Sequence, residues 1–458
     1  MNILHYTIGL LPERSGGSVV YAGGLMRQQL KDGQNVMALV CGDTLFRAKK
    51  SSIKKCGVKD SLPLFKLVSP TTPTLIHGVR NPGSIYGKKQ VDRRQIEQFI
   101  ADNHIDIFHI HTFMGLPLEV LEIFKERQVR IVYTSHDFYG ICLGYSMLLP
   151  SGKICDNPCA KQCAVCNANA PSEKFLRLAN SSLYHFLKTK MGMRGKMKSK
   201  SGPKIEEETR MPLDDVISDY EKLRLYYQKM FRIVDMFHFN SAQTDELYRK
   251  YLGKDISGKT INIATPAIYD RRRMSVVNDE KIILGYVASI REYKGFPLLK
   301  KVLVNLYKEG VRNWELQVWG NPIVGTDEDC ENIVYKGQYD YKDIVTVFRE
   351  MNLLVVPSQW NETFGLTVLE SMSFGVPAVV SSTVGAKDIV AEIDNSLIFS
   401  SESELYDILE NILKNPKLLS GWNQKIMSNP WNHSISRHSQ EIMKLYSSTI
   451  QSTLKSVL

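Results

Sequence analysis

The stretch Leu353-Leu354-Val355-Val356-Pro357-Ser358-Gln359-Trp360-Asn361-Glu362-Thr363-Phe364-Gly365-Leu366-Thr367-Val368-Leu369-Glu370 leaves the chain few ways to fold. Its opening apolar run, closed by a proline, reads as a parallel strand buried on both faces. Leu366 to Phe374 are good helix formers closed by Gly375 and Pro377, so a helix is expected there. The order is strand, loop, helix, with one carboxylate in the loop and one in the helix. Open α/β sheets bind ligands outside the carboxyl ends of their strands. Backbone N–H groups at Phe364, Gly365 and Leu366 would face that crevice and favour a phosphate. Helical side chains lean toward the N-terminus, so Glu370 is placed to reach a group just beyond the phosphates, such as ribose hydroxyls. Glu362, in the loop, addresses the far end of the ligand.

Seven residues separate Glu362 from Glu370, and Phe364-Gly365 and Gly375-x-Pro377 accompany them. This segment resembles the E-x7-E motif of the retaining glycosyltransferases of family 4, which have the GT-B fold. The resemblance covers nearly the whole chain, with its specific motifs concentrated in 282–392. It implies an α/β protein of two Rossmann-like doubly wound domains facing across a cleft, with a C-terminal helix crossing back to domain one. It implies transfer of a sugar from a UDP- or GDP-sugar to a saccharide or lipid-diphosphate acceptor, of the kind used in cell-surface polysaccharide biosynthesis. No cofactor is required for catalysis on that reading. Glu362, His136 and Lys294 would be the catalytic groups. Gly16, Gly17, Arg291, Lys294, Gly320, Phe364, Gly365, Leu366 and Glu370 would bind the donor. A lysine near the start of a helix is poor for the helix dipole, and Lys294 makes sense if it neutralises a diphosphate. The chain departs from the family at Ser289, where an arginine is usual, and the nearest arginine is Arg291.

A chain of 458 residues favours several cores over one. The expected domains are 1–265, carrying a cysteine-rich and basic insert at 142–230, then 266–430, then a crossing helix at 431–458. Gly16 and Gly17 follow the first strand, where glycines let a phosphate or sugar approach the backbone; the spacing is not that of a dinucleotide fingerprint. His136 and Asp137 arrive at the carboxyl end of a strand at 130–135. His109 and His111 point the same way along another strand, a pair of candidate metal ligands with no third at useful spacing.

Five cysteines, Cys142, Cys155, Cys159, Cys163 and Cys166, fall within the insert. In a cytosolic chain such clustering suggests metal more than disulfides. A structural zinc held by Cys163, Cys166 and Cys155, with Cys142 or else Cys159 as the fourth ligand, is one reading, unligated thiols another, and a redox or cluster role a third. The net charge of +10 is local, because nine lysines and arginines and no acid lie between Glu173 and Glu206. Residues 174–204 mix these cations with large apolar side chains, which suits an anionic membrane surface as well as a solvated loop. No nucleic-acid fold signature is present. The expected location is cytoplasmic, or peripheral on the inner face of the membrane, because the N-terminus reads as a strand and no apolar run is long enough to span. Two rival functions stay open: a GT-B protein that binds sugar nucleotides without turnover, and a metal-cluster enzyme built on the cysteines.

Overall fold

The computed structural model describes residues 1–457 except 15, 45–47, 75–77, 88, 182–183, 185–213, 276–279 and 341–342. Short apolar runs separated by helical segments can pair only as parallel strands with crossover helices. The chain does this twice, in two units. The first contains Met1–Asn240, Asp245–Ile261 and Ser439–Leu458, and the second Ser241–Thr244 and Asn262–His438.

The first unit's strands are β1 (Asn2–Thr7), β2 (Asn35–Cys41), β3 (Ser52–Lys59), β4 (Leu62–Val68), β5 (Ile107–Ile110), β6 (Arg130–Thr134), β7 (Met236–Phe239) and β8 (Gly258–Thr260). They form one sheet in the order β3-β4-β2-β1-β5-β6-β7-β8. All pairs are parallel except β3 with β4. The central strands β1 and β5 are almost wholly buried. The edge strand β3 instead turns Lys54 and Lys55 to solvent, which discourages pairing with another chain. The parallel register sets His5 opposite His109 and Thr134 opposite His238. The last helix, Ile435–Val457, belongs to this unit from Ser439 onward, and Ser439 donates to Asp32 at 2.7 Å.

The second unit's strands are β9 (Ile282–Val287), β10 (Trp314–Trp319), β11 (Val324–Thr326), β12 (Ile333–Gly337), β13 (Leu353–Val356), β14 (Ala378–Ser381) and β15 (Ile398–Phe399). Their order is β11-β12-β10-β9-β13-β14-β15, parallel throughout save for β11. The strand order reverses beside β9, and at such a switch point a crevice is expected outside the carboxyl ends of β9 and β13. Among the described residues no helix is long and apolar enough to cross a membrane.

Candidate active site

In the second unit the crevice is occupied by an ion pair. After β9 the chain makes a short 3-10 turn, Glu292–Lys294, and only then begins the helix Phe296–Lys308. Lys294 therefore sits in the turn before the helix. After β13 the loop bonds back to that turn, with Gln359 N–H donating to the Tyr293 carbonyl at 2.8 Å. Lys294 Nζ donates to Glu362 Oε1 at 2.8 Å, and the Ser358 hydroxyl donates to Oε2. The ammonium also lies 5.0 Å from the centre of the Trp360 ring, which packs against Tyr293. Burial pushes the Glu362 carboxyl upward, but Lys294, Ser358 and Trp360 outweigh it and hold the pKa below the ordinary value. Glu362 is thus an anion whose partner could be drawn off by a stronger one.

The approach of the two loops depends on Gly295. Its φ is +76°, and a Cβ there would lie 1.7 Å from the Pro357 carbonyl oxygen. Gly295→Ala is expected to destabilise the second unit by about 3 kcal/mol or more, through backbone strain plus overlap. Thermal unfolding followed by tryptophan fluorescence checks this, since all five tryptophans lie in this unit. An unchanged transition would show that the loops do not need this contact.

Glu362 is also stitched to the loop after β14. Its N–H donates to the Thr383 carbonyl at 2.9 Å, and its carbonyl accepts from Gly385 N–H at 2.8 Å. Val384 is fully buried against this bridge. Phe364 is buried, and Gly365 adopts φ 98° as the N-cap of the helix Leu366–Met372. That helix ends two residues earlier than the expected 366–374, because Phe374 and Gly375 N–H turn back to the Ser371 and Met372 carbonyls. Seven residues give little macrodipole. The positive charge seen in this crevice is that of Lys294, paired with Glu362.

Glu370 is buried, on the same helix. Burial raises the pKa of the Tyr339 hydroxyl, and the charge of Glu370 adds to the rise, so the two side chains are neighbours. Tyr339 lines a pocket of about 570 Å³ together with Trp319, Gln338, Asp340, Asp343 and Thr346. Trp319 Nε1 and Asn321 Nδ2 are buried donors without a partner among the described residues, and such donors suit a ligand's acceptor atoms. Gly320, between them, has φ 90° and donates to the Gly337 carbonyl at 3.0 Å. Arg291 is exposed at the start of the Lys294 turn. Lys294 and Glu362 thus meet directly, while Gly320 follows the pocket-lining Trp319 and the charge of Glu370 acts on the pocket-lining Tyr339. Trp319, Tyr339, Ser358 and Trp360 were not singled out from sequence, although Trp360 lies two residues before Glu362 and Trp319 directly before Gly320.

The remaining predicted site residues belong to the first unit. Gly16 and Gly17 are exposed, and Gly16, at φ 133°, caps the helix Gly17–Lys31. The helix brings Tyr21 to within 4.8 Å of the His136 ring. His136 follows β6, and burial lowers its pKa to about 3, so it is neutral at physiological pH. Its neighbour Asp137 is pushed by burial up to about 6.

The insert folds against the first unit. Cys163 and Cys166 lie on the helix Ala160–Cys166, Cys163 accepts from Arg224 at 3.7 Å, and Cys166 accepts from Gln162 at 3.4 Å. Burial raises the pKa of Cys142 to about 11 and of Cys163 to about 12, and lifts those of Cys155 and Cys166 as well. No three of these sulfurs lie within 4.8 Å of one another, the spacing that one ion would need; among the described residues that condition is met at His5, His109 and His111. Most of the basic segment 174–204 lies outside the described residues. Of the part that is described, Phe175 and Leu178 are exposed.

Residues 270–427 match the family model described as "Glycosyl transferases group 1". The chain is 24% identical over 230 residues to D-inositol 3-phosphate glycosyltransferase of Corynebacterium efficiens, covering 47% of this chain and 54% of that protein. It is 32% identical over 104 residues to O-antigen chain mannosyltransferase B of Escherichia coli, covering 22% and 26%. The chain spans about half the length, or less, of the curated relatives it matches. Among solved structures it resembles sucrose-phosphate synthase of Thermosynechococcus elongatus, with a TM-score of 0.56 at 13% identity over 98% of this chain and 99% of that one. It resembles Anabaena HepE in complex with UDP to the same degree, with a TM-score of 0.56 at 13% identity over 98% and 100%. The fold of the two parallel-sheet units is GT-B.

Proposed function

We propose that this protein is a retaining glycosyltransferase that moves a sugar from a nucleoside-diphosphate sugar to a saccharide or lipid-linked acceptor in cell-surface polysaccharide biosynthesis. One observation carries the reading: Lys294 and Glu362 meet at the carboxyl ends of β9 and β13, in the unit that also holds Glu370 and the pocket beside it. The matched family model spans all of these residues. The names of the relatives, and the UDP bound to one structural neighbour, support the same reading.

In the reaction the sugar–phosphate bond breaks, the sugar–acceptor bond forms on the same face of the ring, and the proton of the acceptor hydroxyl passes to the departing diphosphate. The difficult charge is the one that develops on the departing diphosphate. Lys294 is the cation placed to take it. Glu362, released from Lys294, holds the sugar hydroxyls, and Glu370 holds the ribose. The pocket lined by Trp319 and Tyr339 takes the base, uracil or guanine. The first unit takes the acceptor, with neutral His136 as its polar group for the incoming hydroxyl.

Glu370→Ala is expected to weaken donor binding roughly 10- to 100-fold, the loss of hydrogen bonds to a charged acceptor. Titration with UDP- and GDP-sugars, read as thermal stabilisation, measures it. Equal affinity in both proteins would remove Glu370 from the donor site. Ser289 favours a second reading, binding without turnover, since it stands where the family resemblance calls for a phosphate-binding arginine. Release of nucleoside diphosphate on mixing donor with acceptor separates the two.

A further inference from the structure

Five histidines of the first unit are joined by hydrogen bonds that no motif assigns. His5, His109, His111 and His238 are at most 2% exposed, and His136, which follows β6, is partly exposed. They come from four segments of the chain, and β1, β5, β6 and β7 align them by parallel register.

We propose that these rings form one directional hydrogen-bond chain, oriented by the Ile261 carbonyl and turned by Tyr446 and Gln29, that holds His136 as the Nε2–H tautomer. A carbonyl only accepts, so His238 Nε2 must donate to Ile261 at 2.7 Å. In a neutral ring Nδ1 is then an acceptor, and the Thr134 hydroxyl donates to it at 2.9 Å. That uses the one proton of Thr134, so His109 Nε2 donates to its oxygen at 2.7 Å. His109 Nδ1 therefore accepts from the Tyr446 hydroxyl at 2.6 Å. Tyr446 has no further proton, so the Gln29 amide turns its nitrogen to Tyr446 at 3.3 Å and its oxygen to His5 Nε2 at 2.8 Å. A flipped amide would leave two oxygens facing each other with no proton between them. His5 Nε2 donates, His5 Nδ1 accepts from His111 Nε2 at 3.0 Å, and His111 Nδ1 accepts from His136 Nε2 at 3.1 Å.

Every ring is thereby the Nε2–H tautomer, and His136 keeps its lone pair on Nδ1. Burial lowers the pKa of each ring, to about 4 for His5 and His238, which agrees with neutral imidazoles throughout. His5, His109 and His111 also have ligand atoms within 4.8 Å of one another, the spacing of a metal site. Both nitrogens of each are already engaged in the chain, so an ion would have to break it. On the transferase reading, the lone pair makes His136 an acceptor for a substrate hydroxyl rather than a donor. Tyr446 and Gln29 are then positioning residues that act on it through His109, His5 and His111.

The test uses the full chain with 15N-labelled histidine rings, and the tautomers are read from long-range proton–nitrogen correlations at neutral pH. This readout needs no donor, acceptor or turnover, so it can fail while the transferase reading stands, and the reverse. All five rings are expected as single Nε2–H tautomers. Tyr446→Phe removes the hydroxyl oxygen that accepts from Gln29 and so fixes its amide, and His5, His111 and His136 are therefore expected to lose that single-tautomer signature while the fold persists. A purely structural Tyr446 would leave His136 unmoved. Finding wild-type His111 or His136 as the Nδ1–H form would overturn the proposal. So would added zinc shifting the His5, His109 and His111 nitrogens together. Both are wild-type measurements and survive a variant that does not fold.

Discussion

Replacing Lys294 with alanine is expected to reduce sugar transfer roughly 10²- to 10³-fold, the usual consequence of removing one group that stabilises charge only as it develops. Donor affinity should fall less than turnover, because part of the lysine's attraction in the resting protein is spent on Glu362, 2.8 Å away. The pairing gives the complementary substitution a distinctive sign. Glu362→Gln leaves Lys294 without its anionic partner, so a bare nucleoside diphosphate should bind several-fold more tightly, on the order of 1 kcal/mol. Turnover should nevertheless collapse, because the sugar has lost its anionic hold. Initial rates with labelled donor, alongside calorimetric titration of the nucleoside diphosphate, separate the two effects. A Lys294→Ala protein within tenfold of the wild-type rate would mean that the leaving group is stabilised elsewhere.

The second large effect is acid lability confined to the first unit. Burial lowers the pKa of His5 to about 4, of His136 to about 3 and of His238 to about 4. Each binds its proton more tightly in the unfolded chain, near pH 6.5, so the unfolded state gains protons first as pH falls. Stability contributed by the neutral rings is therefore present above pH 6.5 and is lost progressively down to about pH 4. Between pH 7 and pH 5 each ring costs about 2 kcal/mol, or about 6 kcal/mol for the three, and His109 and His111 act in the same direction. Asp137 opposes this. Its carboxyl is raised to about 6 by burial, so the folded state gains its proton first in this window, offsetting about 1 kcal/mol. The net loss is comparable with the whole stability of an ordinary domain. Because every tryptophan lies in the second unit, far-UV circular dichroism should lose signal near pH 5 while tryptophan emission holds. Equal stability at pH 7 and pH 5 would show that the rings are protonated in the folded protein.

The parts read correctly from sequence are those whose physics is local. A four-residue apolar run ending in proline can hardly be anything but a buried parallel strand, and β13 runs Leu353–Val356 as expected. Glu362 and Lys294 were each placed at a ligand from their own loops. That they bond to each other across 68 positions was visible only in the fold. The strands β3 and β4 escaped notice because Lys54, Lys55, Lys59 and Lys66 interrupt the apolar alternation of an edge pair. The histidines show the same limit. His109 and His111 lacked a third partner along the chain, yet parallel pairing sets His5 opposite His109, and a terminal helix adds Tyr446 from 337 positions away. The cysteine spacing likewise says nothing of the neighbours the fold supplies, such as Arg224 beside Cys163.

The most direct test is a crystal structure of the protein with an intact UDP- or GDP-sugar. The diphosphate should lie against the Lys294 ammonium and the Phe364–Leu366 amides, with Glu370 on the ribose and Glu362 turned from Lys294 to the sugar. A donor bound elsewhere, with Lys294 and Glu362 still joined, would contradict it.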